Sequence, residues 1–439
     1  MSCSSMKKLL FTLILALGII TTTSAQQNSP DFVTTDIDNF WQAYDKIIAT
    51  KDTVLQYQYL NQLFLDKATP GQKAMIAARR YTAKEYLAAI KDRPQYWLTI
   101  RFNTNKAKAF ASDIEANILK LKKLYPQAKP AKIYFTIGVF RSGGTTTGNM
   151  ILIGSEIAFT DENLKNMVFT NVHEYVHTQE KTTDANNILG QSVLEGVAEY
   201  LAVKATGQPS NAPAIAYGYT HNDRIREVFA QQLFNDNYGI WMYNSMENEF
   251  NNTRDLGYYV GYAICENYYN KAKSKQQAVK DMIELDYNDE AALAKFVDES
   301  GYFAESVASL KTKYEDSRPT VVSLKPFKNN ATGVDPATTQ ITIEFSNVMN
   351  KRYRNFELGP LGKDNLLKIK GGVGFSEDGR SFTFTTELQP NRQYQLVLGR
   401  FRDKDYKQLK EYLINFVDLN KPVTKSLYSN HACYPQKLY

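Results

Sequence analysis

The sequence predicts an α+β protein with a mostly helical domain that contains a small edge sheet, followed by an all-β sandwich. Apolar residues recur at helical spacing through most of residues 36–318, strand patterns interrupt them near 132–153, and two-residue alternation begins near Pro319. The chain has 439 residues, of which 43% are hydrophobic and 22% charged. That length and composition suit two or three globular domains and disfavour a disordered, collagen-like or coiled-coil chain.

The first 25 residues are expected to be a signal peptide. Two lysines at 7–8 precede an apolar run at 9–20 and the small residues 23–25, which is the order of a secretory signal and its cleavage site. The alternative is a membrane anchor, but about twelve apolar residues are too few for a span that needs about twenty. No cysteine follows the run to carry a lipid, and no later stretch is long and apolar enough to span a membrane. We therefore expect an exported, periplasmic or extracellular protein.

The charge and the cysteines exclude other classes. The net charge is +6, and loss of Lys7 and Lys8 with the signal leaves 6 − 2 = +4, which does not indicate a nucleic-acid partner. Three cysteines are too few for a disulfide scaffold. Cys3 leaves with the signal. Cys265 lies in an apolar helical pattern and is expected to be a buried thiol, although an oxidising compartment would also permit a disulfide with Cys433.

The region after the signal, residues 26–318, is expected to form one domain. Residues 26–130 are a helical lead-in that could roof or inhibit a cleft, and residues 131–318 form the core. Strands are predicted at 132–140 and 150–153, which could pair as a hairpin-like edge. A helix is predicted from Asp161 to about Thr178, and further helical patterns cover 188–203, 224–234 and 258–271.

Residues 319–420 are predicted to form the β-sandwich, and residues 421–439 a C-terminal tail. Alternating strand patterns occur at 339–345, 381–385 and 394–398. The segment 388–394 resembles the tyrosine corner of immunoglobulin-like sandwiches, in which the hydroxyl of a tyrosine, here Tyr394, bonds to upstream backbone. Together with residues 330–349, it resembles the bacterial Ig-like domains of secreted enzymes, and a generic β-sandwich is the alternative.

The motif that predicts chemistry is H-E-x-x-H, formed by His173, Glu174 and His177. Histidines four residues apart lie one turn apart on the same face of a helix, so both imidazoles can bind one Zn²⁺. Glu174 projects beside them, where it can act on a metal-activated water as general base. The chain has only four histidines, so chance does not readily produce this spacing. A structural zinc site is the alternative, but no nearby cysteine completes one.

A catalytic zinc also needs a third protein ligand. The metzincin pattern is absent, because Glu180 and Thr183 stand where its glycine and third histidine belong. Residues 194–200 (LEGVAEY) instead resemble the E-G-x-A-E-Y element of gluzincins, the clan of thermolysin and M1-type aminopeptidases. The resemblance implies Glu195 as the third ligand of one Zn²⁺ ion and Glu199 as the carboxylate that orients a histidine. The spacing leaves exchange of these two roles open, and a solvated helix face is the plain alternative.

The resemblance also implies a donor for the oxyanion. Residues 258–261 (YYVG) are similar to a Tyr-x-x-Gly element in which M1-like enzymes place a phenol, which makes Tyr258 the candidate, with Tyr259 or Tyr262 as fallback. The alternative is an aromatic-rich core helix. His221 could do the same work, as a lone downstream histidine does in thermolysin-like enzymes, but its polar surroundings favour a surface position. His431, in the tail, is expected to be inert.

Over residues 130–305 the chain resembles predicted bacterial zinc-dependent proteases of the peptidase-MA (gluzincin) type. In gluzincins an edge strand before the HExxH helix binds extended substrate, which implies that Met150, Ile151, Leu152 and Ile153 bind peptide or protein by strand addition. That strand lacks the G-x-M-E-N sequence with which M1 aminopeptidases read a free amine.

The sequence therefore predicts an exported zinc peptidase, with an endopeptidase as first choice. Its Ig-like domain would serve surface or glycan contact. Two alternatives stay open: a zinc hydrolase of a non-peptide substrate on the same scaffold, and a non-catalytic surface or assembly protein. A non-catalytic protein has no chemical need for a base such as Glu174, so the presence of Glu174 argues against that alternative.

Overall fold

The computed structural model describes residues 31–182, 184–243 and 247–418. The expected signal peptide and C-terminal tail, with Cys3, His431 and Cys433, lie outside the described residues. The architecture confirms the predicted α+β class. A helical domain carries one small sheet, and a β domain of antiparallel strands follows. Among the described helices, none combines the length and apolarity that crossing a membrane requires.

The described secondary structure is as follows. The helices are α1 Thr35–Ile48, α2 Thr53–Leu60, α3 Pro70–Arg79, α4 Ala83–Asp92, α5 Pro94–Thr104, α6 Ala111–Leu124, α7 Ser155–Ala158, α8 Asp161–Leu164, α9 Met167–His177, α10 Ile188–Thr206, α11 Pro213–Ala230, α12 Leu256–Lys271, α13 Lys275–Ile283, α14 Glu290–Ser300 and α15 Val307–Ser317. The strands are β1 Asp31–Val33, β2 Lys132–Thr136, β3 Gly144–Thr147, β4 Met150–Gly154, β5 Val321–Lys325, β6 Gln340–Phe345, β7 Asn355–Glu357, β8 Ile369–Phe375, β9 Ser381–Thr386, β10 Gln393–Gly399 and β11 Leu413–Val417.

The sheet of the helical domain has the order β1-β2-β4-β3. β4 pairs in parallel with β2 and antiparallel with β3, so its main-chain groups are used on both sides. The prediction that Met150, Ile151, Leu152 and Ile153 form the edge and bind substrate by strand addition is therefore wrong. β2 and β4 are also parallel neighbours rather than a hairpin. The edge strand is β3, whose Gly and Thr residues carry too little apolar alternation to be recognised as a strand.

β2 ends earlier than predicted, at Thr136 instead of residue 140. Phe140 has a φ of 65°, which no strand residue adopts. The buried carboxylate of Glu156 accepts hydrogen bonds from the backbone N–H groups of Gly138 at 2.8 Å and Phe140 at 3.2 Å. A Cβ on residue 138 would overlap that carboxylate, so glycine is required there. Side-chain bonding thus replaces the sheet ladder over this loop.

The predicted helix 161–178 is two helices, α8 and α9, because Asn166 between them has a ψ of 1°. α9 packs against the long helix α10, which is almost entirely buried. Asn187 caps the start of α10 by accepting a hydrogen bond from the N–H of Gly190, and Gly207, at a φ of 70°, ends it.

Two glycines let α10 and α12 pack backbone to backbone. A Cβ on Gly261 of α12 would overlap the carbonyl group of Ser192, and one on Gly196 of α10 would overlap the backbone of Gly261. The apolar core of the helical domain continues through this crossing and includes the buried thiol of Cys265. The close approach places the first turn of α12 opposite the middle of α10.

The β domain consists of two sheets, β5-β6-β9-β8 and β11-β10-β7, around a core of its own. Tyr394 forms the corner expected from the sequence: its hydroxyl oxygen accepts a hydrogen bond from the N–H of Gln389 at 2.6 Å. The domain is tied to the helical domain by the guanidinium of Arg402, whose nitrogens lie 2.5 and 2.9 Å from the carboxylate oxygens of Asp236. Asn235 also donates its side-chain amide to the carbonyl of Asp405.

Candidate metal centre and active-site cleft

Three side chains of α9 and α10 converge at one point. The Nε2 atom of His177 lies 3.1 Å from Nε2 of His173 and 3.2 Å from Oε2 of Glu195, and His173 Nε2 lies 3.5 Å from the same oxygen. These three atoms form a group that could hold one metal ion. All three side chains come from helices, with His177 at the end of α9, so the helical framework rather than a loop fixes their positions.

The other nitrogen of each ring faces a carboxylate. His173 Nδ1 lies 2.9 Å from Oε2 of Glu199, and His177 Nδ1 lies 2.7 Å from Oε2 of Glu180. When each ring is neutral and directs its Nδ1 proton to the carboxylate, both Nε2 lone pairs point at the same space, where they can bind one cation. Two imidazole nitrogens and a carboxylate oxygen are a ligand set that zinc favours. The residues present therefore fit a zinc ion.

The electrostatics of this cluster point the same way. Burial would lower the pKa of His173, but its bonds with Glu195 and Glu199 raise it to about 9. Burial would also lower the pKa of His177, but the charges of Glu180 and Glu195 outweigh this effect and raise the pKa well above its usual range. Burial raises the pKa of Glu195, but the neighbouring imidazoles bring it well below its usual value. The carboxylates thus create a strongly negative potential that attracts positive charge.

Glu174 lies beside the cluster and against the edge strand. Its side chain contacts Gly144 of β3 so closely that a Cβ on residue 144 would overlap the carboxylate. Only 8% of Glu174 is exposed, and burial raises the pKa of its carboxyl, opposed by the charges of His177, His173 and, more weakly, Arg79. A carboxylate with a raised pKa at the edge of a cleft can take up a proton during a reaction.

Tyr258 is brought to the same space by the α10–α12 crossing. Its ring stacks near His173, with 6.3 Å between ring centres, and burial and the charge of Glu195 raise its pKa well above the usual range. Its phenol therefore keeps its proton and can donate a hydrogen bond.

The structure places the other donor candidates elsewhere. The hydroxyl of Tyr259 donates to Asn222 at 3.0 Å, and Tyr262 packs on Tyr200, so neither lines the cleft. His221 is exposed and stacks on Tyr217 with 3.9 Å between ring centres. The fallback assignments to Tyr259 and Tyr262 are therefore wrong, whereas the surface position favoured for His221 is confirmed.

These groups open into a cleft of about 670 Å³ between β3 and the helices. It is lined by Arg79, Arg141, Gly144, Thr145, Thr146, His173, Glu174, His177, Gln191, Leu194, Glu195, Tyr243 and Tyr258. The lining combines a cluster that could hold a metal ion, a buried carboxylate, a phenol and, in the described sheet, a strand edge without a partner strand.

Comparison with known protein families identifies both domains. Residues 97–289 match the family described as "Predicted Zn-dependent protease (DUF2268)", and residues 315–416 match "Bacterial Ig-like domain". The middle of the chain is thus similar to predicted zinc-dependent proteases, and residues 315–416 are similar to bacterial Ig-like domains. The family match confirms the expected zinc-protease resemblance at that level, and the β domain is from here on called the Ig-like domain. A search of curated proteins returned no significant match.

Solved structures that resemble the chain do so at low similarity. CopC from Methylosinus trichosporium OB3b is 17% identical, with 24% of this chain and 95% of CopC covered at a TM-score of 0.20. The N-terminal part of the bacterial S-layer protein SbsC is 14% identical, with 89% and 79% covered at 0.19. The catalytic module of the metalloprotease ZmpA from Clostridium perfringens is 14% identical, with 76% and 65% covered at 0.18.

The positions of Glu180, Tyr243 and Arg79 at the site were not predicted from the sequence. Glu180 was considered only as the residue that breaks the metzincin pattern, although a carboxylate three residues after a metal-binding histidine on a helix end is a readable signal. Tyr243 donates its hydroxyl to Oε1 of Glu195 at 2.8 Å, and Arg79 comes from the helical lead-in. Neither lies near a motif, so only the fold brings them to the cleft.

Proposed function

We propose that this protein is an exported zinc-dependent peptidase of the gluzincin type that cleaves peptide bonds within protein substrates. Its ligands to one zinc ion are His173, His177 and Glu195, and Glu199 and Glu180 orient the two histidines. The observation that carries the proposal is the convergence of three ligand atoms while each histidine's Nδ1 faces a carboxylate. The family match to predicted zinc-dependent proteases supports it.

The position of Glu195 favours it over Glu199 as the ligand. Glu195 Oε2 lies near both Nε2 atoms, whereas Glu199 bonds the outer nitrogen of His173. The second oxygen of Glu195 accepts the Tyr243 hydroxyl, and that of Glu199 accepts the Ser210 hydroxyl, so both carboxylates are held in place.

The chain's own residues then supply proton transfer and charge stabilisation. Bound zinc would provide a Lewis acid for a carbonyl group and acidify water in its neighbourhood. Glu174 takes the proton from the attacking water and delivers it to the leaving amine, for which its raised pKa suits it. Tyr258 donates a hydrogen bond to the developing oxyanion of the substrate.

The substrate is proposed to lie along β3, Gly144–Thr147, rather than along β4. In the described sheet β3 pairs with β4 on one side only, so its other edge can accept an extended chain. Gly144 lies against Glu174, which brings a peptide on that edge next to the base. The sequence of β3 and β4 has no G-x-M-E-N element to read a free amine, which favours an endopeptidase.

Export and surface contact remain part of the proposal. The signal-like residues 1–25 and the match of 315–416 to a bacterial Ig-like domain support a periplasmic or extracellular location. The Ig-like domain would then contact a surface or a glycan.

The decisive experiment combines metal analysis with a peptide-library digest. Purified protein supplemented with zinc should retain one zinc per chain and cleave library peptides internally, and a chelator should stop cleavage. The Glu174→Gln variant should retain zinc but lose cleavage, which separates binding from catalysis. Zinc bound without any peptide cleavage would overturn the peptidase assignment, and no retained zinc would overturn the metal site itself.

A further inference from the structure

The active-site cleft has a basic wall that the proposed chemistry does not use. Among the described cleft residues, six carry or can carry charge: Arg79, Arg141, His173, Glu174, His177 and Glu195. The proposed ligands and base account for the four from α9 and α10. The two that remain are both arginines.

Arg79 reaches the cleft from the last turn of α3, in the helical lead-in, outside the region that matches the protease family. Its Nη2 donates to the Ser142 hydroxyl at 3.1 Å, and that hydroxyl donates to the carbonyl of Gly144 at 2.9 Å. Arg79 is thereby fixed at the beginning of the edge strand β3, where Gly144 contacts Glu174.

The guanidinium of Arg79 has unused donors. Its Nε is buried and has no hydrogen-bond partner among the residues that the structure describes. A guanidinium carries five N–H donors in a planar fork, and a carboxylate matches two of them side by side. Because Arg79 lines the cleft and Ser142 takes only one of its donors, the guanidinium can bind a ligand that supplies two oxygens.

Arg141 lines the same cleft as Arg79. Its guanidinium lies 4.7 Å from the centre of the Tyr81 ring and 3.2 Å from Oε1 of Glu85. The Arg141 and Glu85 side chains are 45% and 40% exposed, and an exposed pair of this kind is weak. Arg141 can therefore add attraction for an anion without being committed to Glu85.

We propose that Arg79, assisted by Arg141, binds a carboxylate of the peptide substrate, so that the enzyme selects chains with an acidic residue next to the cleavage site. The inference rests on the proposed function for the course of the substrate along β3. It goes beyond that function by naming a substrate class and the residue that selects it.

Binding to an inactive protein tests the proposal without turnover. The probe is a set of fluorescein-labelled octapeptides in an Ala-Ser background with one Glu at each successive position, matched by a set with Gln, each made with a free acid or an amide C-terminus. On zinc-loaded Glu174→Gln protein, we expect about tenfold tighter binding of peptides that place a carboxylate at the preferred position. The Glu/Gln arm and the acid/amide arm identify the source of that carboxylate.

Arg79→Gln in the same background should bring acidic and neutral peptides to nearly equal affinity. The matched control is Arg80→Gln, which removes the same charge from the neighbouring exposed residue outside the cleft lining and should keep the preference. Equal binding of carboxylate and amide peptides by the parent protein, or a preference that survives Arg79→Gln, would overturn the proposal. A merely structural role of Arg79 would weaken all peptides alike and leave the ratio unchanged, which also overturns it.

The two proposals fail separately. A carboxylate preference in a protein that cleaves no peptide would contradict the peptidase function and leave the carboxylate site standing. Peptide cleavage by the wild type with no carboxylate preference in binding would contradict the carboxylate site and leave the peptidase function standing.

Discussion

The Nδ1 atom of His177 lies 2.7 Å from a carboxylate oxygen of Glu180, three residues further along the chain. Glu180 is itself held by the Tyr287 hydroxyl, which donates to its other oxygen at 2.9 Å. His173 has the equivalent partner in Glu199, which comes from a different helix. Each imidazole thus has its own carboxylate, one local in sequence and one distant.

Replacing Glu180 should therefore weaken zinc binding although Glu180 is not a proposed ligand. In Glu180→Gln the Nδ1 proton of His177 loses a charged acceptor, and we expect zinc affinity to fall about 10- to 100-fold, as for other partners of metal-bound histidines. Competition with a chromophoric chelator measures the change. Glu199→Gln should give a loss of similar size, and Glu284→Gln, which changes an exposed acid outside the cleft lining, should give none. Unchanged zinc affinity in Glu180→Gln would refute the orienting role.

Replacing Tyr258 should affect turnover more than substrate binding. Tyr258→Phe keeps the ring that stacks near His173 but removes the proton donor, so we expect kcat to fall about 100- to 1,000-fold with KM little changed. Steady-state kinetics on a cleaved library peptide provide the measurement. Tyr259→Phe is the matched control, because that hydroxyl is bonded to Asn222 outside the cleft. A kcat within threefold of wild type for Tyr258→Phe would exclude it as the oxyanion donor.

The crossing of α10 and α12 should not tolerate a methyl group. In Gly261→Ala the new Cβ meets the backbone of Ser192, which cannot move without shifting α10, so we expect a loss of about 3 kcal/mol or more in the free energy of unfolding. Thermal or denaturant unfolding measures it. Gly372→Ala is the control, since a Cβ there meets nothing within 4 Å. Equal stability of the two variants would mean that the helices are not in backbone contact.

The buried carboxyl of Glu156 should make stability depend on pH. Burial raises its pKa from 4.5 to about 7. Between these two pH values the folded chain keeps a proton that the unfolded chain has released, so the free energy of unfolding falls as the pH rises through this window and levels off above pH 7. The size of the effect is about 3 kcal/mol.

Urea unfolding of wild type and Glu156→Gln across pH 4.5 to 8 isolates this contribution as the difference between the two proteins. The variant has no proton to release and should lack this part of the pH dependence, so its stability should come closest to that of the wild type at low pH, where Glu156 is also neutral. Parallel pH profiles for the two proteins would contradict the raised pKa.

The fold class and the cluster of His173, His177 and Glu195 could be predicted from the sequence because both follow from local patterns. Helix periodicity places His173 and His177 on one face, and the second helical motif carries Glu195 and Glu199, so only the meeting of two helices remained to be observed. Strand order was not local: nothing in the composition of residues 144–147 distinguishes an edge strand from a turn, and the more apolar β4 was mistaken for the edge. The presence of Arg79 in the cleft could not be predicted for a related reason, since Arg79 comes from a helix about 95 residues before His173.

The contact at Asn235 has a mechanical consequence. Its carbonyl accepts the N–H of Ile188 at 2.9 Å, at the start of the helix that carries Glu195, while its amide reaches across to Asp405 of the Ig-like domain. Arg402, also from the Ig-like domain, donates a hydrogen bond to the adjacent Asp236. If the Ig-like domain is anchored to a bacterial surface, these contacts would consequently fix the orientation of the cleft relative to that surface. A force applied at the anchor would be transmitted directly to the helix that carries Glu195, the proposed third metal ligand.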